Sequence, residues 1–344
     1  MMLVFFSSLR KLSEGGQKMT PTAVYPRSNF VRRGYRVFIL LPLRLCAFVT
    51  TLGLLWVESV AHILLCFLLN VRLGPRATQH AAEEAGTNSR VAFVNDWLKL
   101  RLNAEYPTWF MKFHDTHLRV AHFAAKVALF CLGYSKLDVQ GERDPQADVL
   151  VCNHRGIIDA LVLSFALNQV PIFVGGASIV ELPFLRELGI SLDLYFVDES
   201  MRKFAVYELR DLLSPKSSTR RRPLVVFPEG SADYGTSLRT WIHPGCFQIV
   251  SAERMQGVAL TFQGLGEFSP TWPLSSRLHT LFGILFFLAQ IPSNRSRVEF
   301  IKPKVAENAT REEMMEDFRR AIASALDVPV ANERGGYDMP HRER

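Results

Sequence analysis

The sequence predicts an α/β fold, a mostly parallel layered sheet flanked by helices, preceded by an N-terminal membrane-embedded helical segment. Three observations predict it. After residue 145 short apolar runs alternate with helical patterns, the arrangement expected of strands joined by crossover helices. Two polar motifs, Asn153-His154-Arg155-Gly156-Ile157-Ile158-Asp159 and Phe227-Pro228-Glu229-Gly230, each follow such a run, and functional groups collect at the carboxyl ends of parallel strands. Residues 37–71 are almost continuously apolar.

From the N-terminus, residues 1–36 form a basic segment. Met1 to Phe6 is too short for a signal-peptide core, so no cleaved leader is expected. The apolar segment, residues 37–73, is interrupted by Pro42, Arg44, Glu58 and His62 and flanked by arginines on both sides. A spanning helix needs about 20 apolar residues, so this length allows one tilted span or a tight re-entrant hairpin. Residues 74–90 are small and polar and read as a linker. The main domain is expected over 91–328, with a polar tail over 329–344.

Within that domain, aromatic and basic residues interleave from Val91 to Tyr134, including Trp97, Trp109, Phe113, Phe123 and Lys126. The pattern suits helices at a membrane interface, and packing onto the core explains it equally well. His114, His117 and His122 accompany Asp115 there without a recognised ligand spacing, so no metal site is predicted. Strands are expected near 148–152, 171–174, 194–197, 223–227, 256–262 and 297–303. Helices are expected near 158–168, 182–189, 201–213, 245–254, 276–290 and 311–326, the apolar stretch Leu278 to Ala289 being too short to span.

Composition narrows the function. A length of 344 residues holds one large domain plus an accessory segment. The formal charge of +7 with 11% aromatic residues suits work on anionic lipid headgroups and a polyphosphate co-substrate. No zinc-finger spacing or RNA-binding motif accompanies the arginines, so nucleic acid is not an expected partner. The five cysteines lack Cys-x-x-Cys spacing and read as reduced thiols. Asn294 and Asn308 match the glycosylation pattern and are expected to be unused. Arg220-Arg221-Arg222 reads as a solvated loop at the sheet end opposite the motifs.

The chemistry resides in the motifs. A histidine near neutrality, with an aspartate to fix its tautomer, forms a general base suited to removing a proton from a hydroxyl. At these residues the chain resembles the glycerophospholipid acyltransferase family, whose first motif is Asn-His, four variable residues and Asp, and whose third is Phe-Pro-Glu-Gly. Pro244-Gly245-Cys246-Phe247 and Val298-Glu299-Phe300 are similar to the lysophosphatidylcholine and lysophosphatidylethanolamine acyltransferases. The resemblance covers roughly residues 90 to 328.

It implies a membrane enzyme that moves a fatty acyl group from acyl-CoA, as co-substrate without a cofactor, to a lysophospholipid. His154 would be the base and Asp159 its orienting acid. Asn153 would fix the turn or donate toward the thioester oxygen, and turn N–H groups would stabilise the oxyanion. Arg155, Phe227, Pro228, Glu229 and Gly230 would contribute to substrate binding. At the second motif, Tyr195 to Ser200, Glu199 stands where the family commonly has arginine, and Arg202 would replace the missing phosphate contact. Glu199 would then disfavour a phosphomonoester and select a diester. The family's substrate supply implies the endoplasmic reticulum, with the catalytic domain facing the cytosol. A lysophosphatidic acid acyltransferase is the nearer alternative and a non-catalytic lipid-binding protein the more distant one. A hydrolase is disfavoured because no Gly-x-Ser-x-Gly elbow is present.

Overall fold

The computed structural model describes residues 39–73, 107–156, 158–176, 185–197, 202–213, 222–230, 237–241, 244–263, 294–306 and 308–334. The basic segment 1–36, the linker 74–90, Trp97, Glu199, Arg220, Arg221 and the predicted helix 276–290 lie outside the described residues.

The apolar segment is one unbroken helix, α1 (Leu41–Leu73), of 33 residues, about 50 Å long at the α-helical rise. Pro42 falls in its first turn, where a missing N–H leaves no helical bond unmade. Leu41–Cys66 has a mean hydropathy of 1.7 and is long and apolar enough to cross a membrane. Leu55, Ser59, His62 and Cys66 are buried, while Leu43, Leu54, Val57, Leu64 and Leu68 are exposed. Spacings of three and four put the buried set on one face, which packs on α2 (Thr108–Cys131) and α4 (Leu185–Ser191). Two of the interruptions are thereby explained, since Arg44 and His62 are buried against protein. Ser191 Oγ donates to Ser59 Oγ at 2.9 Å.

Chain order then runs β1 (Tyr134–Gln140), β2 (Val149–Cys152), α3 (Asp159–Ala166), β3 (Ile172–Gly176), α4, β4 (Tyr195–Val197), α5 (Arg202–Leu212), β5 (Leu224–Val226), β6 (Leu238–Thr240), β7 (Met255–Gln263), β8 (Asn294–Ile301), α6 (Arg311–Leu326) and β9 (Val330–Arg334). Seven strands form one sheet in the order β1-β8-β7-β2-β5-β3-β4. Every pairing is parallel except β7 with β8. Strand alternation builds two cores. Val149 and Val151 pack with Leu209, Phe247, Phe318 and Ile322 on one face; Leu150 and Cys152 pack with Leu129, Val162, Leu163 and Val225 on the other. Each fully buried aliphatic side chain contributes roughly 1.5–3 kcal/mol, so this central strand is held from both sides.

Three predictions need correction. The expected helix 245–254 is two 3₁₀ turns, Pro244–Gln248 and Ala252–Arg254, divided by Ser251 in an extended conformation. The expected tail from 329 begins as β9, which pairs with β6 and is bound through its Ala331 carbonyl by Arg319. Arg222 is not solvated: it pairs with Asp193 and donates to the carbonyls of Val170 at 3.2 Å and Leu192 at 3.4 Å.

Candidate active site

The β2–β5 register aligns Val151 with Val226, so the residues that follow each strand emerge side by side. Asn153 and His154 leave β2 where Phe227, Pro228 and Glu229 leave β5. The second turn closes with a bond from Gly230 N–H to the Phe227 carbonyl at 3.1 Å. Gly230 has φ +72° there, a left-handed conformation that glycine adopts without steric cost.

His154 Nδ1 lies 2.7 Å from Asp159 Oδ2. That carboxylate oxygen also accepts from the N–H groups of Arg155 at 2.6 Å and Gly156 at 3.0 Å. Asp159 is 1% exposed and opens α3, where the helix dipole favours negative charge. A carboxylate oxygen that already accepts from two backbone N–H groups can only accept from the ring as well, which assigns the proton to Nδ1 and leaves Nε2 as the basic nitrogen. The His154 side chain is 28% exposed, so this nitrogen sits on a ring that solvent reaches. Its other face stacks on Phe227, ring centroids 4.6 Å apart, and Phe227 in turn stacks on Phe173 at 6.5 Å.

The two motifs are joined directly. Glu229, 2% exposed, accepts from the backbone N–H of His154 at 2.9 Å. The glutamate therefore holds the turn that carries the histidine. Asn153 is fully buried, and its amide grips Leu260 both ways: Nδ2 donates to the Leu260 carbonyl at 3.0 Å, and Leu260 N–H donates to Oδ1 at 2.7 Å. These bonds extend the β2–β7 ladder by one side chain. Asn153 thus holds the turn, with one of its two Nδ2 hydrogens committed to Leu260. The turn's N–H groups are likewise taken, those of His154, Arg155 and Gly156 all meeting carboxylates.

Arg155 is 5% exposed, and its guanidinium has no carboxylate partner among the described residues. Pro228 and Gly230 frame the turn beside it. Arg202 begins α5, but its side chain lies outside the described residues, as does Glu199. Cys152 adjoins the site as a fully buried thiol whose Sγ contacts the Asn153 carbonyl at 3.2 Å. Burial pushes it well above the ordinary thiol range, and the Asp159 and Glu229 carboxylates add to that shift. That shift and its full burial disfavour the thiolate, the nucleophilic form. Leu260 and Phe173 carry no sequence signal for this role, because one acts through its backbone and the other as an ordinary core residue.

Among the described residues, no group of three His, Cys, Asp or Glu side chains is placed to hold a metal. His114, considered above for that role, contacts His62 Nε2 at 2.9 Å through Nδ1 and Asp193 Oδ2 at 2.8 Å through Nε2. His117 lies 3.2 Å from Glu58.

No curated protein sequence matches the chain. Among solved structures, the crystal structure of the 1-acyl-sn-glycerophosphate (LPA) acyltransferase PlsC from Thermotoga maritima is similar, with 13% identity and a TM-score of 0.38, covering 69% of this chain and 96% of that one. Residues 136–260 match the family model described as Acyltransferase, a stretch that contains His154, Asp159, Glu229 and each hydrogen bond that joins them.

Proposed function

We propose that the protein transfers a fatty acyl group from acyl-CoA to the free hydroxyl of a lysophospholipid, with lysophosphatidylcholine or lysophosphatidylethanolamine as the acceptor. The observation that carries this is the His154–Asp159 pair: a 2.7 Å bond at Nδ1, an accessible ring, and a backbone N–H anchored by Glu229 from the second motif. The acceptor hydroxyl gives its proton to His154 Nε2 as its oxygen attacks the thioester carbonyl carbon. Collapse of the tetrahedral adduct breaks the C–S bond, and the imidazolium returns the proton to the leaving thiolate. The products are the diacyl phospholipid and coenzyme A. Asp159 stabilises the imidazolium through its bond to Nδ1. A positioned base supplies roughly 10²- to 10⁴-fold in rate.

Arg155 supplies a buried positive charge one residue from the base, suited to a phosphate of donor or acceptor. Helix α1 anchors the protein in the endoplasmic reticulum membrane, with the catalytic domain on the cytosolic side. Glu199 in place of the family's arginine favours a zwitterionic diester over a phosphomonoester. The test is acyl transfer from oleoyl-CoA to lysophosphatidylcholine, lysophosphatidylethanolamine, lysophosphatidic acid and glycerol 3-phosphate, with His154→Ala in parallel. Transfer to a zwitterionic lysolipid that disappears in the variant is expected. Transfer to lysophosphatidic acid alone would overturn the acceptor assignment, and an unaffected variant would remove His154 as base.

A further inference from the structure

At the sheet end opposite His154, about 13 Å away by the rise of a four-residue strand, the starts of β2, β5 and β7 surround a cavity of about 360 Å³. Arg143, Gln146, Asp148, Pro223 and Arg254 line it. Its two guanidinium groups are in different states. Arg254 Nε donates to Asp148 Oδ2 at 2.5 Å, and its terminal nitrogen donates to the Leu213 carbonyl at 2.9 Å. That charge is met. Arg143 Nε is buried with no hydrogen-bond acceptor among the described residues, and no described carboxylate pairs with the group. Arg143 as a whole is half-buried, and this partial burial pushes its pKa below the usual guanidinium range, while its terminal nitrogens are not among the buried unpartnered atoms.

The loop holding Arg143 is pinned on both sides. Gln256, 2% exposed, accepts from the Asp144 N–H at 2.9 Å and donates to the Glu142 carbonyl at 2.8 Å, so one buried amide fixes the residues immediately before and after the arginine. The nearest acid in sequence, Asp144, accepts from Lys302 Nζ at 2.7 Å and from the Gln146 N–H at 2.9 Å. It is thereby occupied by groups other than Arg143. A rigid loop that holds an uncompensated guanidinium against a cavity has the form of an anion site whose ordering cost is met before binding.

We propose that this cavity binds a phosphate group, with Arg143 gripping two phosphate oxygens through its forked donors and Arg254 facing it across the opening. Planar guanidinium favours phosphate geometry, and the volume lies within the range of small-ligand sites. The phosphate belongs either to a free anion or to a phospholipid headgroup. The site is independent of the acyl-transfer reading, because none of its residues touches the His154 turn.

The experiment is thermal unfolding of the full-length protein in detergent, titrated with inorganic phosphate against chloride at equal ionic strength, and separately with dihexanoyl phosphatidic acid against dihexanoyl phosphatidylcholine. At saturation the Tm should rise by about 3 °C or more, and Arg143→Gln should abolish the rise. A shift with phosphate alone assigns the free anion; a larger shift with the acidic lipid, lost in the same variant, assigns the headgroup. No shift with either probe, or an equal shift in Arg143→Gln, overturns the site. Should Arg143→Gln fail to fold, Arg143→Lys replaces the fork with a point charge and should reduce the shift several-fold; an undiminished shift overturns the proposal equally.

Discussion

Two histidine–aspartate pairs stand at opposite ends of one sheet, with bonds of nearly equal length and different prospects. His154 meets Asp159 at 2.7 Å, and His114 meets Asp193 at 2.8 Å. In the first, one ring nitrogen binds the acid and the other has no hydrogen-bond partner among the described residues, on a ring 28% exposed. In the second, His62 occupies the remaining nitrogen at 2.9 Å, and the ring is 5% exposed. Asp193 is also neutralised by Arg222, whereas Asp159 is held by backbone N–H groups that carry no full charge. The bond to the acid is common to both. What separates a base from a structural clamp is the state of the second nitrogen and whether a hydroxyl can reach it.

The largest expected effect breaks the comparison at its catalytic side. His154→Ala should lower kcat by about 10²- to 10⁴-fold while leaving the Tm within a degree or two, measured by acyl transfer and calorimetry on the same preparation. Asp159→Asn should fall in the same range, because an amide can turn its donor toward Nδ1 and reverse the tautomer. His114→Ala should do the opposite. It leaves Asp193 and His62 short of a partner at the α1–α2 contact, a loss of about 1–3 kcal/mol, which lowers the Tm by roughly 3–10 °C for a domain of this size. The rate per folded molecule should remain within a few-fold of wild type. A thousand-fold loss of kcat in His114→Ala with unchanged Tm would invert the roles assigned to the two pairs.

The same contrast shows what the sequence could and could not reveal. The first pair is local: five residues separate His154 from Asp159, and a strand followed by a helix start is enough to place them together. The second needs α1, α2, the turn after α4 and the start of β5 to meet, so His114 reads as one of three unplaced histidines and Arg222 as part of a solvated run. Glu229 is intermediate. Its motif was legible, but its partner is a backbone N–H 75 residues away, which carries no side-chain signature. Buried central strands stood out as apolar runs. β1, at the sheet edge with Val139 exposed, and the three-residue β6 lack enough apolar character to be read. β9 carries no strand pattern, because Val330 to Arg334 is mostly polar and pairs with a strand about 90 residues earlier.

A smaller effect sharpens the comparison from the supporting residues. Asn153 makes two bonds to Leu260 inside the protein, so Asn153→Ala removes both and leaves buried backbone groups unmet, at a cost of about 1–3 kcal/mol. Because those bonds also position His154, kcat should fall by roughly tenfold with little change in KM for the acceptor, since turn placement affects the transition state more than ground-state binding. A rise in KM for acyl-CoA without loss of stability would instead put the amide against the donor.

The smallest effect concerns Cys152, which lies as near the reaction as Asn153 yet should take no part in it. Burial, and then the Asp159 and Glu229 carboxylates, push its thiol well above the ordinary range, Arg155 acting in the other direction. The thiolate is the reactive form, so at pH 8 the fraction available is far below that of an ordinary cysteine, and the fully buried Sγ is shielded as well. Iodoacetamide should therefore label folded Cys152 at least about 100-fold more slowly than the unfolded chain, and Cys152→Ser should retain acyl transfer within a few-fold. Rapid labelling that abolishes activity, together with an inactive Cys152→Ser, would move the covalent chemistry onto this thiol and reduce His154 to the base that activates it.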